Sequence, residues 1–304
     1  MKKTAPGFRL PVRRGRSSDR PAAAIVAALC MLAAPLAQNQ SQQRAEWNQP
    51  QKPFKVFGNT YWVGTKGLGA VLVTSERGHI LIDGALPESV LQIRDHIKEL
   101  EFKIEDVRLL LNTHVHYDHA GGLGELQRLT GARVAASASS AKVLTSGESA
   151  QDDPQYGILP PIDRLRHVDV VREGEVVKVG SLIARPHMTP GHTPGGTTWT
   201  WKSCEGARCL DVVYADSVSP VSADGFKYTS SPMLKAFEHT FEALENMRCD
   251  ILLTPHPAFS RVFERLAARE AGKADAFVDP GACKAYAAAG RKNLAARLAT
   301  ERGN

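Results

Sequence analysis

A dense group of potential metal ligands follows directly after a short apolar segment of this 304-residue chain. Val107–Leu111 is rich in aliphatic residues and predicts a buried strand. The next turn contains the sequence HVHYDH, which holds His114, His116, Asp118 and His119. Imidazole and carboxylate are good zinc ligands, and a turn leaving a strand end can direct its side chains to two sides. The spacing predicts a loop that serves two metal ions. The alternative, a chance group of surface histidines, explains the spacing poorly.

Two other histidines lie in turns that are rich in glycine and proline. His192 lies in TPGHTPGG and His256 lies in TPHP, each after an expected strand. Tight turns fix the direction of a side chain, which suits a ligand. Either histidine alone favours a structural role, but beside the first group both are predicted ligands. The remaining five histidines have no such setting and are interpreted as ordinary core or surface residues.

Short strand-like segments alternate with helical ones through the rest of the chain. Strands are predicted at Phe54–Phe57, Tyr61–Val63, Ala70–Thr74, His79–Asp83, Val107–Leu111, Val134–Ala136, Val168–Val171, Val176–Val179, Leu182–Ala184, Thr197–Trp201, Asp211–Tyr214 and Asp250–Thr254. Helices are predicted at Pro87–Leu100, Gly124–Leu129 and Met233–Met247, with two more beginning at Val262 and Ala282. The proline-rich segment Gly147–His167 predicts a surface loop. This order predicts an α/β (α+β) fold in which residues 38–304 form one domain of two packed sheets with outer helices.

The first 37 residues have the three parts of a secretory signal peptide. A basic stretch precedes the apolar run Ala22–Ala37, and polar sequence follows from Gln38. The apolar run is shorter than the roughly 20 residues that a membrane span needs. The pattern therefore predicts export to the periplasm or beyond, and an uncleaved anchor is the alternative.

The formal net charge of +6 lies entirely in that leader, which has seven basic residues and one acidic residue. Residues 38–304 carry a formal net charge of zero, so the remaining domain has no bulk attraction for nucleic acid. A small-molecule substrate is expected instead, with no stable membrane association after signal cleavage. The chain is expected to act as a monomer.

Four of the five cysteines lie outside the leader. Export makes disulfides possible, and an even number of cysteines suggests two bridges with three possible pairings. The simplest pairing joins Cys204 to Cys209 and Cys249 to Cys283. A cysteine metal site is the competing idea, but no pair has the C-x-x-C spacing.

The three histidine motifs together resemble those of the metallo-β-lactamase superfamily, and the resemblance runs from about Trp47 to the C-terminus. It implies an αββα sandwich with two zinc ions at the sheet edges. The resemblance assigns three ligands to each ion, namely His114, His116 and His192 to the first and Asp118, His119 and His256 to the second.

The residue type at position 217 distinguishes the branches of that superfamily. Glyoxalase-like and nuclease-like members usually have a metal-bridging aspartate at this position, and another β-lactamase subclass has a cysteine ligand. A serine is similar to subclass B3, in which it helps to hold the substrate carboxylate, and Ser219 would share that role. The resemblance also includes the pairing of Cys249 with Cys283. Gln155 in the long loop is a further candidate for substrate binding, with an exposed loop glutamine as the alternative.

Two aspartates have roles that the sequence leaves open. Asp216 directly precedes Ser217, and a shift of one residue would make it a metal ligand rather than a buried hydrogen-bonding residue. Asp83 ends an expected strand and is a candidate partner for a ligating histidine, because such histidines usually pass their second N–H to a carboxylate or a carbonyl.

The resemblance implies an exported di-zinc β-lactamase that hydrolyses the amide bond of penicillins, cephalosporins and carbapenems and confers antibiotic resistance. In such an enzyme a zinc-bound hydroxide attacks the carbonyl carbon, and Asp118 orients it as well as binding zinc. The main alternative is another zinc hydrolase of the same fold, such as a lactonase, a thioesterase or a glyoxalase-like enzyme. A metal-binding protein without activity is a third class, but three protein ligands per metal leave the open position that is typical of catalytic zinc.

Overall fold

The computed structural model describes Met1 and residues 41–303. Apart from Met1, the expected signal peptide at residues 1–37 lies outside the described residues. The chain from Arg44 onward belongs to one compact unit.

In the described part of the chain, twelve strands form two mixed sheets. The seven-stranded sheet has the order β1-β2-β3-β4-β5-β6-β7, with β1 (Phe54–Phe57), β2 (Thr60–Trp62), β3 (Val71–Val73), β4 (His79–Ile82), β5 (Val107–Leu111), β6 (Arg133–Ser137) and β7 (Asp169–Val171). The five-stranded sheet has the order β12-β11-β10-β9-β8, with β8 (Val177–Val179), β9 (Leu182–Met188), β10 (Thr197–Glu205), β11 (Arg208–Tyr214) and β12 (Ile251–Leu253). Strands β4 to β7 pair in parallel, as do β11 and β12, whereas the other neighbours are antiparallel.

Helices flank both sheets. The described part of α1 covers residues 41–47. The helices after it are α2 (Val90–Glu99), α3 (Tyr117–Ala120), α4 (Leu123–Thr130), α5 (Ala138–Ser146), α6 (Met233–Asn246), α7 (Val262–Glu270) and α8 (Ala282–Gly303). Single 3-10 turns occur at Pro87–Ser89, Ile104–Asp106 and Tyr228–Ser230. Among the described residues, no helix has both the length and the apolar character that a membrane span requires.

Strand β5 shows why the sandwich has four layers. Leu109 and Leu111 point into the apolar layer between the two sheets, whereas Val107 and Leu110 point into a second layer that contains residues of α2 and α4. Successive side chains of a strand face opposite sides, so Leu109–Leu111, between a helix layer and the second sheet, are apolar on both faces, whereas Arg108 is exposed. A third apolar layer contains residues of α6 and α8 together with Val213 and Leu252 of the second sheet. The layers therefore follow the order helices, sheet, sheet, helices.

This architecture agrees with the expected αββα fold, and the differences from the sequence prediction include helices α1, α3 and α5 and the length of the β10–β11 hairpin. Helix α5 was not expected, because its first turn is rich in serine and has no clear apolar stripe. The β10–β11 hairpin is longer than expected. Lys202 and Arg208 are exposed polar residues in it, so the apolar pattern ends before the strands do. Cys204 and Cys209 are paired across the hairpin and joined by a disulfide, and a second disulfide joins Cys249 to Cys283.

Candidate metal centre

The loop after β5 is held in place by Asp83, which follows β4. The Asp83 carboxylate accepts hydrogen bonds from the Thr113 backbone N–H at 2.8 Å and from the Thr113 hydroxyl at 2.7 Å. Asn112 links the loop internally by donating its side-chain N–H to the His114 carbonyl at 2.7 Å. Burial raises the pKa of Asp83 to about 7. The sequence suggested Asp83 as the partner of a ligating histidine. Asp83 instead positions the loop through Thr113, and none of its hydrogen bonds among the described residues is to a histidine ring.

Asp118, His119 and His256 form a tight group of three donors, the second cluster. The Nε2 atoms of His119 and His256 are 3.2 Å apart, and they lie 3.1 and 3.4 Å from Oδ2 of Asp118. Three ligands placed tetrahedrally at 2.0–2.1 Å from a zinc ion are separated by about 3.3 Å. The spacing of these three atoms therefore fits a small divalent metal ion.

His114, His116 and His192 form the first cluster. Their ring centroids are 4.7–4.9 Å apart in each pair, and one ring nitrogen of each lies within 4.8 Å of the others. The Nε2 atom of His114 is buried and has no hydrogen-bond partner. An unpartnered lone pair in the protein interior is costly, and a metal ion in the cluster would satisfy it.

Each imidazole of the first cluster uses its other nitrogen for a contact that orients the ring. His114 Nδ1 lies 2.7 Å from Oδ1 of Asp216, and His192 Nδ1 donates to the Ser219 carbonyl at 2.8 Å. His116 instead places its Nε2 atom 3.2 Å from Oδ2 of Asp153. A hydrogen bond at one ring nitrogen fixes the ring and leaves the lone pair of the other nitrogen for a ligand. At His116 that other nitrogen, Nδ1, faces the Gln155 side-chain amide at 3.3 Å.

The charge states of these side chains suit a cation. Burial, together with the neighbouring histidines, holds the pKa of His114 well below its usual range and lowers that of His192 to about 3. Burial alone would raise the pKa of Asp118, but its interactions with His119 and His256 lower it well below its usual value. Neutral imidazole and ionised carboxylate are the forms that bind metal ions.

The two clusters lie side by side, because the rings of His114 and His119 have centroids only 4.3 Å apart. His114 and His119 are completely buried, whereas the His256 side chain is 24% exposed. Of the six clustered residues, His256 is the one that is not buried.

The turn that carries His192 depends on the glycine before it. Gly191 has φ of +141°, and a Cβ atom built there would lie 2.6 Å from Cδ1 of the Phe237 ring in α6. Only glycine combines this backbone conformation with such a close approach. The turn is thus pressed against α6, and His192 is directed away from that helix into the first cluster.

A family model described as "Metallo-beta-lactamase superfamily" matches residues 70–256, which include all six residues of the two clusters. The chain belongs to the metallo-β-lactamase superfamily. Membership agrees with the αββα architecture and with the position of both clusters after strands β5, β9 and β12.

Solved structures of metallo-β-lactamases are similar to this superfamily member over nearly their whole length. The Rm3 metallo-β-lactamase is 52% identical, with a TM-score of 0.84, and the match covers 85% of this chain and 98% of that one. MEM-A1, a subclass B3 metallo-β-lactamase from a soil metagenome library, is 46% identical, with a TM-score of 0.83 and coverage of 84% and 99%. The resemblance to subclass B3 is therefore confirmed by both sequence and structure.

This metallo-β-lactamase superfamily member is also similar to curated proteins that are named hydroxyacylglutathione hydrolase. A hydroxyacylglutathione hydrolase of Methylobacterium nodulans is 35% identical over 114 residues, which are 38% of this chain and 35% of that protein. A hydroxyacylglutathione hydrolase of Rhodopseudomonas palustris is 38% identical over 106 residues, or 35% and 34% of the two chains. The chain thus matches only about a third of the length of these relatives.

Of the three residues expected to bind substrate, Gln155 and Ser219 contact the first cluster, and Ser217 lies between Asp216 and Ser219 in the chain. The Gln155 side-chain amide is 3.3 Å from Nδ1 of His116. The Ser217 hydroxyl is buried without a hydrogen-bond partner. Ser219 uses its carbonyl to hold His192, and its hydroxyl lies 3.4 Å from the same ring nitrogen. Ser219 therefore also orients a histidine, which the sequence did not indicate.

Asp153 contacts a predicted ligand and was not predicted from the sequence. It is 3% exposed and contacts His116, although the two residues are 37 positions apart. Only Gln155 of the long loop is a sequence candidate, because the loop has no periodicity that shows which side chain turns inward. The structure also answers the question about Asp216, whose carboxylate contacts the ring of His114 and does not lie in either donor group.

Proposed function

We propose that this chain is an exported di-zinc β-lactamase of subclass B3. The observation that carries the proposal is the neutral Ser217 side chain in the segment whose residues Asp216 and Ser219 contact the first cluster. Its hydroxyl is buried and unpartnered, while the adjacent Asp216 turns to His114 and so supplies no bridging carboxylate between the clusters. The two disulfides support export, since such bonds persist in oxidising compartments.

The six clustered side chains would hold two zinc ions. The first cluster offers three imidazoles, and the second offers two imidazoles and a carboxylate, both of which are common zinc ligand sets. When bound, zinc lowers the pKa of water to about 7 and polarises a carbonyl oxygen. Three protein ligands per ion leave a position for substrate or water, as in catalytic sites.

The chain's own residues would position the substrate and the attacking water. Asp118 has a second carboxylate oxygen with which it can orient a water molecule towards the β-lactam carbonyl carbon. The Ser217 hydroxyl is free to donate a hydrogen bond to the carboxylate that β-lactams carry near the amide nitrogen, and the Gln155 side-chain amide lies 3.3 Å from Nδ1 of His116. Water addition forms a C–O bond, breaks the C–N bond of the ring, and delivers a proton to the departing nitrogen.

The second candidate is a hydroxyacylglutathione thioesterase, and the curated relatives favour it. The donor set of such an enzyme would overlap with the two clusters seen here. The short matched length and the serine at position 217 weigh against this candidate. The two activities differ in the bond that is broken, so a direct assay distinguishes them.

The test uses the mature chain, purified from about Gln38 onward. It would be assayed against a carbapenem and a cephalosporin, alone, with a chelator, and after zinc is restored. We expect hydrolysis that chelation abolishes and zinc recovers. A folded, zinc-loaded protein that leaves every β-lactam intact would contradict the proposal.

Replacement of Ser217 by alanine tests the carboxylate contact. A hydrogen bond to a charged group contributes about 1.5–3 kcal/mol, so S217A should raise KM for a β-lactam about tenfold or more and leave kcat nearly unchanged. S219A is the companion variant. It removes the second serine hydroxyl and keeps the backbone carbonyl that accepts the His192 N–H. Steady-state kinetics on both variants would reject the contact if S217A kept the KM of the unmodified protein.

A further inference from the structure

One short segment orients two of the three imidazoles of the first cluster. We name residues 216–219, which follow β11, the clamp segment. Asp216 contacts Nδ1 of His114 at 2.7 Å, and the Ser219 carbonyl accepts the N–H of His192 at 2.8 Å. A small shift of the clamp segment would therefore move both rings together. The third ring, that of His116, is held separately by the long loop.

The C-terminal helix α8 lies directly against the clamp segment. The Tyr286 hydroxyl donates a 3.0 Å hydrogen bond to the backbone carbonyl of Asp216. One turn further along, a Cβ atom on Gly290 would lie 2.9 Å from Cγ2 of Val218 and 2.6 Å from Cε1 of Phe241. Real Cβ contacts are essentially never under 3.0 Å, so α8 approaches the clamp segment as closely as a glycine allows. Tyr286 is 5% exposed, and burial raises the pKa of its hydroxyl, which therefore remains a donor.

A disulfide fixes α8 at the same place. Cys283 lies three residues before Tyr286, hence on the same face of the helix, and is bonded to Cys249 just before β12. Cys283 is 1% exposed, so the bridge belongs to the packed interior. Strand β12 pairs in parallel with β11, which leads into the clamp segment. The helix and the strand end are thus tied together by a covalent bond, sheet pairing and the Tyr286 hydrogen bond.

We propose that Tyr286 is a positioning residue for the first cluster and that the disulfide-anchored α8 sets its geometry. Tyr286 acts through Asp216 on His114, and α8 restrains the clamp segment that also holds His192. The inference rests on the proposed role of the six clustered residues as metal ligands. It does not depend on which bond the enzyme hydrolyses.

The first test removes only the hydroxyl, by Tyr286→Phe. The metal-free protein would be titrated with zinc against a chromophoric chelator, and with Co²⁺ to record its visible absorption. Loss of a supporting hydrogen bond around a metal site typically costs 10–100-fold in affinity, and we expect about tenfold for one metal equivalent, with an altered Co²⁺ spectrum. Introducing the change into a His256→Ala background, in which only the first cluster keeps three donors, assigns the effect.

Tyr228→Phe is the matched control. The Tyr228 hydroxyl also donates to a backbone carbonyl, that of Val221 at 2.9 Å, but this lies beyond the clamp segment. The control should keep both metal affinities. Equal affinities and identical Co²⁺ spectra for Tyr286→Phe and the unmodified protein, both folded by circular dichroism, would overturn the proposal.

The second test separates the two disulfides. A Cys249→Ser/Cys283→Ser variant should weaken the same metal equivalent as Tyr286→Phe, whereas Cys204→Ser/Cys209→Ser, in the distant β10–β11 hairpin, should not. Equal effects of the two double variants would refute the role of α8. Metal binding without β-lactam hydrolysis would refute the proposed activity and leave this inference standing, whereas an unmodified protein that binds no metal would refute both.

Discussion

At the scale of single residues, the ligands are more visible in the sequence than the residues that orient them. His114, His116, Asp118 and His119 lie within six positions, so their spacing alone suggests a metal site. Asp153 makes its contact with His116 across 37 positions and from an aperiodic loop. Long-range contacts of this kind depend on how a loop folds back, and no local pattern encodes that.

The role of Asp153 leads to a prediction about metal affinity. Asp153→Asn replaces the carboxylate beside His116 by a neutral amide, so the first cluster should lose about 10–100-fold in zinc affinity. The neighbouring Asp152 is exposed, and Asp152→Asn is the matched control. Chelator competition would contradict the assignment if the two variants bound zinc equally well.

At the scale of elements, strands with alternating or continuous apolar residues could be predicted, and α5 could not. Its first turn, Ala138-Ser139-Ser140-Ala141, has few large apolar residues, so hydrophobic periodicity gives no signal there. The helix begins instead with a side-chain cap, because the Ser137 hydroxyl accepts a hydrogen bond from the Ser140 N–H at 3.3 Å. The same hydroxyl donates to the Gly195 carbonyl at 2.7 Å, in the turn that carries His192.

Ser137 thus joins a helix cap to the turn of a predicted ligand, and its removal should be measurable. Ser137→Ala should lower the free energy of unfolding by about 1–2 kcal/mol, through the lost cap and the lost bond to Gly195. Ser139→Ala, in the same turn, removes a hydroxyl that makes no hydrogen bond with the described residues, and should change stability by less than about 0.5 kcal/mol. Urea unfolding of both variants tests this, and equal stabilities would contradict it.

At the scale of the whole molecule, the fold brings distant segments to one place. The loop after β5 belongs to the first sheet, whereas the turns after β9, β11 and β12 belong to the second. Packing the two sheets face to face places their ligands within 4.8 Å of one another in each cluster. The sequence alone indicates the motifs and, by resemblance, the fold, but the distances between clusters require the packed sheets.

Because the ligands come from both sheets, metal binding should stabilise the whole unit. A ligand that binds only the folded state at one hundred times its Kd adds about 2.7 kcal/mol to the free energy of unfolding for each site. Zinc should therefore raise the unfolding midpoint, and a chelator should reverse the effect. A His114→Ala/His256→Ala variant, with one donor removed from each cluster, should respond far less, and an equal response would place the zinc elsewhere.

The most direct measurement of the central claim compares two substrates on one preparation. The zinc-loaded mature chain would be assayed in parallel against a carbapenem and a hydroxyacylglutathione thioester, each with and without a chelator. We predict chelator-sensitive opening of the β-lactam ring with a kcat/KM well above that for the thioester. Chelator-sensitive cleavage of the thioester with an intact β-lactam would contradict the β-lactamase assignment.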